Sequence, residues 1–325
     1  MKKFFKAVGI VVALVVAAVV GFVVWVQMRG IPKYDIPQPA VAVTSVSATP
    51  EVLAQGEKLV LTDCYGCHVN KQTQALSGHL LTDTPKEFGA LYSANITQDK
   101  EHGIGAWTDA EIVTLLRTGI GRDGRYRIVM PQFAHMSDAD VSSILTFLRS
   151  NHQWVRPDPT PTPAQEPTLL AKVLVNTVMK PLPQPTAAAI VPPASDAVAY
   201  GRYLVVGRYV CYDCHSKDFK TNNPLAPEKS EGYMGGGNRL VNEQGQVVLS
   251  RNLTGDPATG IGDWTAAQFT QAVKYGLSPK GPLHEPMPKY SVMTDEEAAA
   301  IFAYLQTVPK IKNATAEDGG AIAVQ

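Results

Sequence analysis

One five-residue motif occurs twice in this chain and uses every cysteine that it has. The stretches "DCYGCHV" at 63–69 and "VCYDCHS" at 210–216 both contain Cys-x-x-Cys-His. The motif residues are Cys64, Cys67 and His68 in the first copy and Cys211, Cys214 and His215 in the second. Two thiols one helical turn apart, with an imidazole directly behind them, can attach a haem covalently and supply the proximal ligand of its iron. The sequence therefore predicts two covalently bound haem c groups, with both histidines as iron ligands.

Three other uses of the cysteines fit less well. Two disulfides are possible in an exported protein, but cysteines at i and i+3 rarely bridge each other, and the histidines would have no role. A structural zinc site joins Cys-x-x-Cys pairs about 15–20 residues apart, whereas Cys67 and Cys211 are separated by 144 positions. A thioredoxin-type redox pair needs a βαβ pattern around it, which these surroundings lack.

A haem iron held by one histidine needs a sixth ligand, and each half offers a methionine followed by proline. Met130 lies in "VMPQFAHMSDAD", and Met287 lies in "PMPKYSVMTDEE". A thioether favours ferrous iron and raises the reduction potential, as suits an electron carrier. We therefore predict Met130 and Met287 as the second axial ligands.

Each methionine has a competitor six residues later. Met136 and Met293 directly precede Ser137 and Thr294, which resemble helix N-caps with an acidic residue three positions on. A residue in that position usually packs back onto the helix, so both are expected to be core residues. His135 and His284 are weaker candidates for iron, because they do not recur at matching positions.

A second internal match extends the repeat beyond the attachment motifs. The segment "NITQDKEHGIGAWTDAE" at 95–111 matches "NLTGDPATGIGDWTAAQ" at 252–268, and Met287 follows Met130 by the same 157 positions. Cys211 follows Cys64 by only 147, so the second half carries ten extra residues between its motif and this segment. That stretch predicts a small β-hairpin inserted into a helical domain. Four side chains keep the same spacing in both halves of the chain and are candidate haem contacts, although turn-forming and core roles explain them equally well: Asn95, Trp107, Asn252 and Trp264.

The helical pattern predicts an all-α fold with three helices per half. They begin near Pro50 and Ser195, at the boxes "TDAE" and "TAAQ", and at "DADVSSILTFLRS" and "DEEAAAIFAYLQTV". Domain 1 is expected at 49–155 and domain 2 at 195–310. A linker at 31–48, a proline-rich linker at 156–194 and a flexible tail at 311–325 complete the chain. The apolar middle of the proline-rich linker is expected to form a short helix that packs between the domains, and contact with the membrane surface or a partner is the alternative use.

The first 30 residues predict a transmembrane anchor. Positions 7–26 are twenty uncharged, almost wholly apolar residues, which is enough to span a bilayer as a helix. A cleaved signal has a shorter apolar run, of about 7–15 residues. Three lysines precede the span and one arginine follows it, so the positive-inside rule places the rest of the chain outside the cytoplasm. Lipid is thus one expected partner.

Charge argues against nucleic-acid binding. The 29 basic and 29 acidic residues cancel, and four of the basic residues lie in the first 30 positions. The remainder is slightly acidic and shows no basic stripe. No nucleic-acid partner is expected.

Together these residues resemble class I cytochrome c domains in tandem. The pattern "NIT-D---GIG-WTDAE" with a following Met-Pro is similar to the multihaem cytochrome c subunits of membrane-bound alcohol and gluconate dehydrogenases. The resemblance covers about 50–150 and 195–309, and it implies electron transfer on the outer face of a bacterial inner membrane. It also implies a tryptophan near a haem propionate, at Trp107 and Trp264. Those subunits resemble three-haem chains, whereas this one has two motifs and an N-terminal anchor.

The sequence thus predicts a membrane-anchored dihaem cytochrome c with no catalytic residues of its own. It would pass electrons from a membrane dehydrogenase or quinol-oxidising complex to a downstream acceptor or oxidase. A dihaem peroxidase is one alternative, but it needs an open iron in one half, and both halves offer a methionine. A dihaem subunit of a terminal oxidase is the other alternative, and it differs only in partner.

Overall fold

Helices form most of the regular structure. The computed structural model describes residues 1–242 and 244–314, and within them a long N-terminal helix precedes two helical domains. The helices are α1 Lys2–Arg29, α2 Pro50–Asp63, α3 Tyr65–His68, α4 Asp109–Thr118, α5 Asp138–Leu148, α6 Leu169–Thr177, α7 Ala197–Tyr203, α8 Cys211–His215, α9 Ala266–Tyr275 and α10 Asp295–Leu305. Short 3₁₀ turns lie at Lys86–Phe88, Phe219–Thr221 and Pro227–Lys229, and a π-helical turn lies at Leu204–Arg208.

The all-α expectation is confirmed only in part. Long irregular segments connect the helices, and the described residues contain three antiparallel two-stranded sheets. Their strands are β1 Gly89–Ala90 with β2 Glu166–Pro167, β3 Arg239–Val241 with β4 Val247–Leu249, and β5 Leu277–Ser278 with β6 Gly281–Pro282. The β3–β4 pair lies in the stretch for which we predict a hairpin, and its status as an insertion in a shared domain fold stays a prediction.

Capping chemistry fixes the middle helix of each domain. Thr108 accepts a hydrogen bond from the backbone N–H of Glu111, whose carboxylate accepts one in return from the backbone of Thr108. Thr265 and Gln268 form the same box at the start of α9. Both helices end at a glycine in the left-handed conformation, Gly119 and Gly276, which costs no Cβ strain. These predicted boundaries are confirmed.

The first and last helices of each domain cross at a glycine. A Cβ on Gly56 of α2 would collide with the backbone carbonyl of Ser143 on α5. A Cβ on Gly201 of α7 would collide with the carbonyl of Ala300 on α10. The two helix pairs can therefore approach closely only where no side chain intervenes.

Two separate hydrophobic cores result. The core of domain 1 includes Leu59, Ile144 and Met136, and the core of domain 2 includes Leu204, Ile301 and Met293. Val210 packs against both cores. The two domains therefore meet directly, at the residue before the second attachment motif.

The expected linkers lie against domain 1. Ser45 donates its backbone N–H and its hydroxyl to Asp109, both at 2.8 Å, and the Tyr34 N–H donates to the Gly124 carbonyl at 2.8 Å. After the nominal end of domain 1, the carbonyls of Asp158 and Thr160 accept hydrogen bonds from Asn95.

The contacts of α6 differ from our expectation. Asn176 donates to the carbonyl of Gly30 at 2.9 Å, Lys172 donates to Gln27 at 2.7 Å, and Val175 is buried in a small cluster with Leu91. The expected packing between the two domains is wrong, because these contacts hold α6 at the end of α1 and on domain 1.

The predicted tail at 311–325 is described only at its beginning. The backbone N–H of Ile311 donates to the Thr254 hydroxyl at 3.1 Å, and Asn313 donates to the carbonyl of Gly235 at 2.9 Å. Domain 2 therefore continues to Asn313, and the rest of the predicted tail, 315–325, lies outside the described residues.

Candidate haem sites

In domain 2, one cavity gathers the predicted site residues. Its walls include the attachment residues, the methionine candidate, the tryptophan and the asparagine: Cys211, Cys214, His215, Met287, Trp264 and Asn252. The remaining walls are mostly apolar and come from both ends of the domain, among them Val205, Leu253, Phe269 and Ile301. An apolar cavity with two thiols, one imidazole and one thioether in its lining fits a covalently attached haem.

In domain 1 the corresponding residues collect around one core. Cys64, Trp107 and Met130 are partly buried and pack against the same cluster of buried side chains. His68 is buried, with 9% of its surface exposed. The fold therefore brings the predicted attachment residue, tryptophan and axial methionine of domain 1 to one core.

Each motif histidine is oriented by a backbone carbonyl. Nδ1 of His68 lies 2.7 Å from the carbonyl oxygen of Ala94, and Nδ1 of His215 lies 2.8 Å from that of Arg251. A carbonyl can only accept, so Nδ1 carries the proton in both rings and Nε2 keeps its lone pair. Burial lowers the pKa of both histidines, and the carbonyl bonds oppose this shift. Both imidazoles are thus neutral and fixed in orientation, as their predicted role as iron ligands requires.

The thiols do not have the properties of a redox pair. Burial, followed by the nearby Cys214, raises the pKa of Cys211 to about 12, and burial with the charge of Asp213 raises that of Cys214 to about 12. A thioredoxin-type site needs a lowered thiol pKa. All four cysteines lie in the described part of the chain and are free thiols, so the disulfide interpretation finds no support.

The zinc interpretation also finds no support in the described residues. Across 1–242 and 244–314, no group of three or more His, Cys, Asp or Glu side chains could hold a metal ion. A structural zinc site requires four such ligands. Thioether attachment of a porphyrin remains the use that fits these four thiols, of which Cys67 and Cys214 are exposed at the surface and Cys64 and Cys211 are partly buried.

The two methionines of each half are in different environments. Met136 is fully buried and Met293 is 2% exposed, and both precede a helix N-cap, at Ser137 and Thr294. Met130 and Met287 are only partly buried against their cores. These environments support the assignment of Met136 and Met293 to packing, while iron ligation by Met130 and Met287 stays a prediction.

The two weaker histidine candidates also differ. Nε2 of His135 donates to the carbonyl of Pro224 in domain 2 at 2.8 Å, so this nitrogen is already used between the domains. His284 lines the domain 2 cavity near Met287. Of these two histidines, therefore, only His284 is placed in the lining of the cavity that holds the predicted site residues.

The side-chain amides of Asn95 and Asn252 are fully used by the protein. Asn95 accepts from the backbone and hydroxyl of Thr97 and donates to the carbonyls of Asp158 and Thr160. Asn252 accepts from Thr254 in the same way and donates to Thr259 and to the Ile311 carbonyl. Neither amide has an N–H left for a haem propionate. This favours the turn-forming role, and the haem-contact roles of these asparagines and of Trp107 and Trp264 stay predictions.

Arg117 is a residue that sequence reasoning missed. Its guanidinium is 2% exposed and donates to the carbonyls of Phe133, at 2.8 Å, and Met136, and to the carboxylate of Asp138, at 2.8 Å. It thereby holds the loop that carries Met130. Lys274 occupies the matching position in domain 2, where it pairs with Asp295 at 2.5 Å and lies 5.5 Å from the ring centre of Tyr275. A basic residue in the last turn of both middle helices was the available signal.

Comparison with known proteins agrees with this chemistry. Residues 51–148 match the family described as "Cytochrome C oxidase, cbb3-type, subunit III". The chain is 29% identical to the fructose dehydrogenase cytochrome subunit of Gluconobacter japonicus, over 86% of this chain and 56% of that protein. It is 27% identical to the cytochrome c subunit of the quinone alcohol dehydrogenase of Gluconobacter oxydans, over 85% of this chain and 59% of that protein. It is also 27% identical to a dihaem cytochrome c-type protein of Cereibacter sphaeroides, over 82% of this chain and 92% of that protein.

These likenesses settle the class of cofactor but not the partner. The chain spans only 56–59% of the length of the two dehydrogenase subunits. It carries a cytochrome c domain, and its two attachment motifs agree in number with the dihaem relative. Covalently bound haem c is therefore its cofactor.

Proposed function

We propose that this c-type cytochrome is a membrane-anchored dihaem electron carrier that acts as the cytochrome c subunit of a membrane dehydrogenase complex. It would accept electrons from the dehydrogenase or from a quinol-oxidising complex and pass them to a downstream acceptor or oxidase. The observation that carries this proposal is that each half supplies a neutral, carbonyl-bonded histidine and a partly buried methionine near an apolar core.

Bound haem c supplies the one-electron redox chemistry. The chain supplies ligands, orientation and a low dielectric. His68 and His215 would hold the iron from one side through Nε2, while Met130 and Met287 would close the other side. With both positions filled by protein, neither site keeps an open position for a substrate, as expected of a carrier rather than a catalyst.

The N-terminal helix supports attachment to a membrane. Among the described residues, one helix is both long enough and apolar enough to cross a bilayer, and that helix is α1. Its most apolar stretch is not buried by the rest of the protein. Arg29 lies 5.0 Å from the ring centre of Trp25, a pair typical of the membrane–water boundary. We propose a single-pass anchor in the bacterial inner membrane with both haem domains on the periplasmic side.

A second candidate has support from one finding. The family that matches domain 1 is described by a terminal oxidase subunit, so the chain could instead deliver electrons within an oxidase complex. The peroxidase alternative would require one methionine to leave its iron.

A redox titration followed by visible and near-infrared spectra tests the carrier proposal. We expect a sulfur-to-iron charge-transfer band from both oxidised haems. A resting high-spin ferric signal with rapid peroxide turnover would instead establish the peroxidase. Affinity purification of the detergent-solubilised full chain would distinguish the partners, because a dehydrogenase subunit and an oxidase subunit would retain different complexes.

A further inference from the structure

The segment that leads into the second attachment motif is built differently from its counterpart. In domain 1, Gly56 at the helix crossing precedes Cys64 by eight residues, and α2 continues without interruption. In domain 2, Gly201 precedes Cys211 by ten residues. The two additional residues are accommodated by the π-helical turn Leu204–Arg208 and by Val210, which is left-handed with φ 44°. A β-branched residue adopts that conformation only when its surroundings impose it.

Domain 1 packs directly against this segment. The segment Leu204–Val210, which we call the bulge, faces domain 1 at two points of close approach. A Cβ on Gly207 would collide with the carbonyl oxygen of His135, and the Val210 side chain packs against the core of domain 1 as well as its own. π-Turns inside helices frequently mark functional positions.

Arg208 joins the two domains through buried charges. Its Nε lies 2.9 Å from Oδ2 of Asp140, and its Nη2 lies 3.2 Å from Oδ1 of the same carboxylate, on α5 of domain 1. Its Nη1 lies 2.5 Å from Oε1 of Glu297 on α10 of domain 2. All three side chains are 5% exposed or less.

The pairing is reciprocal. Glu297 also accepts from Lys58 of domain 1, and Asp140 also accepts from the Tyr203 hydroxyl of domain 2. Each domain thus places one buried carboxylate against a cation of the other. Asp140 and Glu297 occupy matching positions at the starts of α5 and α10, which ties the interface to the helices that close each haem domain.

Buried ion pairs contribute little to stability, but they can select one relative position of two domains, because any other position leaves a buried charge without its partner. We propose that the bulge clamps the two haem sites at one fixed separation and that Arg208 is the positioning residue for electron transfer between them. This inference rests on the proposed carrier function. Arg208 lies three residues before Cys211, so a shift of the interface moves the second attachment site directly.

Arg208→Met tests the clamp, because it keeps an apolar stem and removes the charge. Arg202→Met is the matched control, since Arg202 lies in the same helical run, is half exposed and forms its ion pair with the surface residue Glu228 of its own domain. Two quantities are measured on the full chain with both haems attached. One is the rate of electron transfer between the haems after pulse reduction, and the other is the distribution of haem–haem distances from pulsed electron paramagnetic resonance.

For Arg208→Met we expect the transfer rate to fall by about tenfold or more, because small misplacements of reacting groups cost large factors in rate. The distance distribution should broaden while the spectrum of each haem stays unchanged. Arg202→Met should match the parent protein in both measurements. An unchanged rate and an unchanged distance distribution in Arg208→Met would overturn the proposal.

If Arg208→Met does not fold, the variant that combines it with Asp140→Asn removes one cation and one anion and leaves the Lys58–Glu297 pair in place, so it gives the same test without an unpaired charge. Failure of the carrier function has a different outcome. The parent protein would then show no transfer between its haems, while the distance distribution would still report whether Arg208 holds the two sites.

Discussion

Nδ1 of His68 donates to the carbonyl oxygen of Ala94 across 2.7 Å, and Ala94 directly precedes the fully hydrogen-bonded Asn95. The same sequence of contacts recurs from His215 through Arg251 to Asn252. In both domains, therefore, a turn built by asparagine fixes the carbonyl that orients the imidazole of the attachment motif. Each asparagine can thus influence the predicted iron ligand through the backbone.

Asn95→Ala should lower the free energy of unfolding by about 1–3 kcal/mol, because it leaves buried partners unsatisfied. Those partners are the carbonyls of Asp158 and Thr160 and the groups of Thr97. Denaturant unfolding and intact mass would show a less stable protein with both haems still attached. If Asn95 instead contacts a haem propionate, stability would change little and the reduction potential of one haem would move.

Met130→Ala should remove the sulfur-to-iron charge-transfer band of one haem and lower its potential, since the thioether favours ferrous iron. Met136→Leu is the matched control, because Met136 is fully buried packing and a swap of similar volume costs less than about 1.5 kcal/mol. Met287→Ala and Met293→Leu repeat the comparison in domain 2. Loss of the band in Met136→Leu and its retention in Met130→Ala would reverse our assignment.

Arg117→Met should destabilise domain 1 by about 1–3 kcal/mol, the cost of leaving buried carbonyls without a donor. The variant removes the donor of two loop carbonyls, whereas Asp138 is 25% exposed and keeps a hydrogen bond from the backbone N–H of Ala189. Lys274→Met at the matching position should have a smaller effect, because its partner Asp295 is 80% exposed. Thermal unfolding of the two variants provides the comparison. Equal losses of stability would show that Arg117 does not stabilise its loop more than Lys274 stabilises the matching loop.

The stability of domain 1 should fall in acid through Asp109. Burial alone would raise the pKa of this carboxyl, but hydrogen bonds from Ser45 and Arg149 outweigh it and lower the pKa below its usual range. An unfolded aspartate titrates near pH 3.9, so the stabilisation is complete above about pH 4 and is lost as pH falls through the lowered folded value. Unfolding measured from pH 6 to pH 2 should show a shallower loss in Asp109→Asn. An identical acid dependence in both proteins would contradict this role.

Local chemistry made much of each domain predictable. The box of Thr108 and Glu111 and the terminal Gly119 fix α4 within a few neighbouring residues, and the Cys-x-x-Cys-His motif specifies its cofactor without reference to the rest of the fold. Asp140 has the same spacing to its N-cap, but its carboxylate accepts from Arg208, 68 positions away. A pattern of near neighbours cannot indicate such a partner.

The position of α6 was missed for a related reason. An apolar stretch shows that a helix buries one face, but the surface that covers it is chosen by the tertiary fold. Here that surface includes Gln27 and Gly30 at the end of α1. The insertion of a π-turn before Cys211 was equally hidden, because two extra residues in a helix can be absorbed in a loop or in the helix itself.

The segment between α1 and domain 1 is held against domain 1. Its contacts are made by Tyr34, Ser45 and the buried Val43. Domain 1 would therefore move together with α1 as one body. If α1 is the membrane anchor that we propose, domain 1 stays close to the membrane, and its electron donor would have to reach it at the membrane surface beside α1. Domain 2, farther along the chain, would then set how far from that surface an acceptor can be reached.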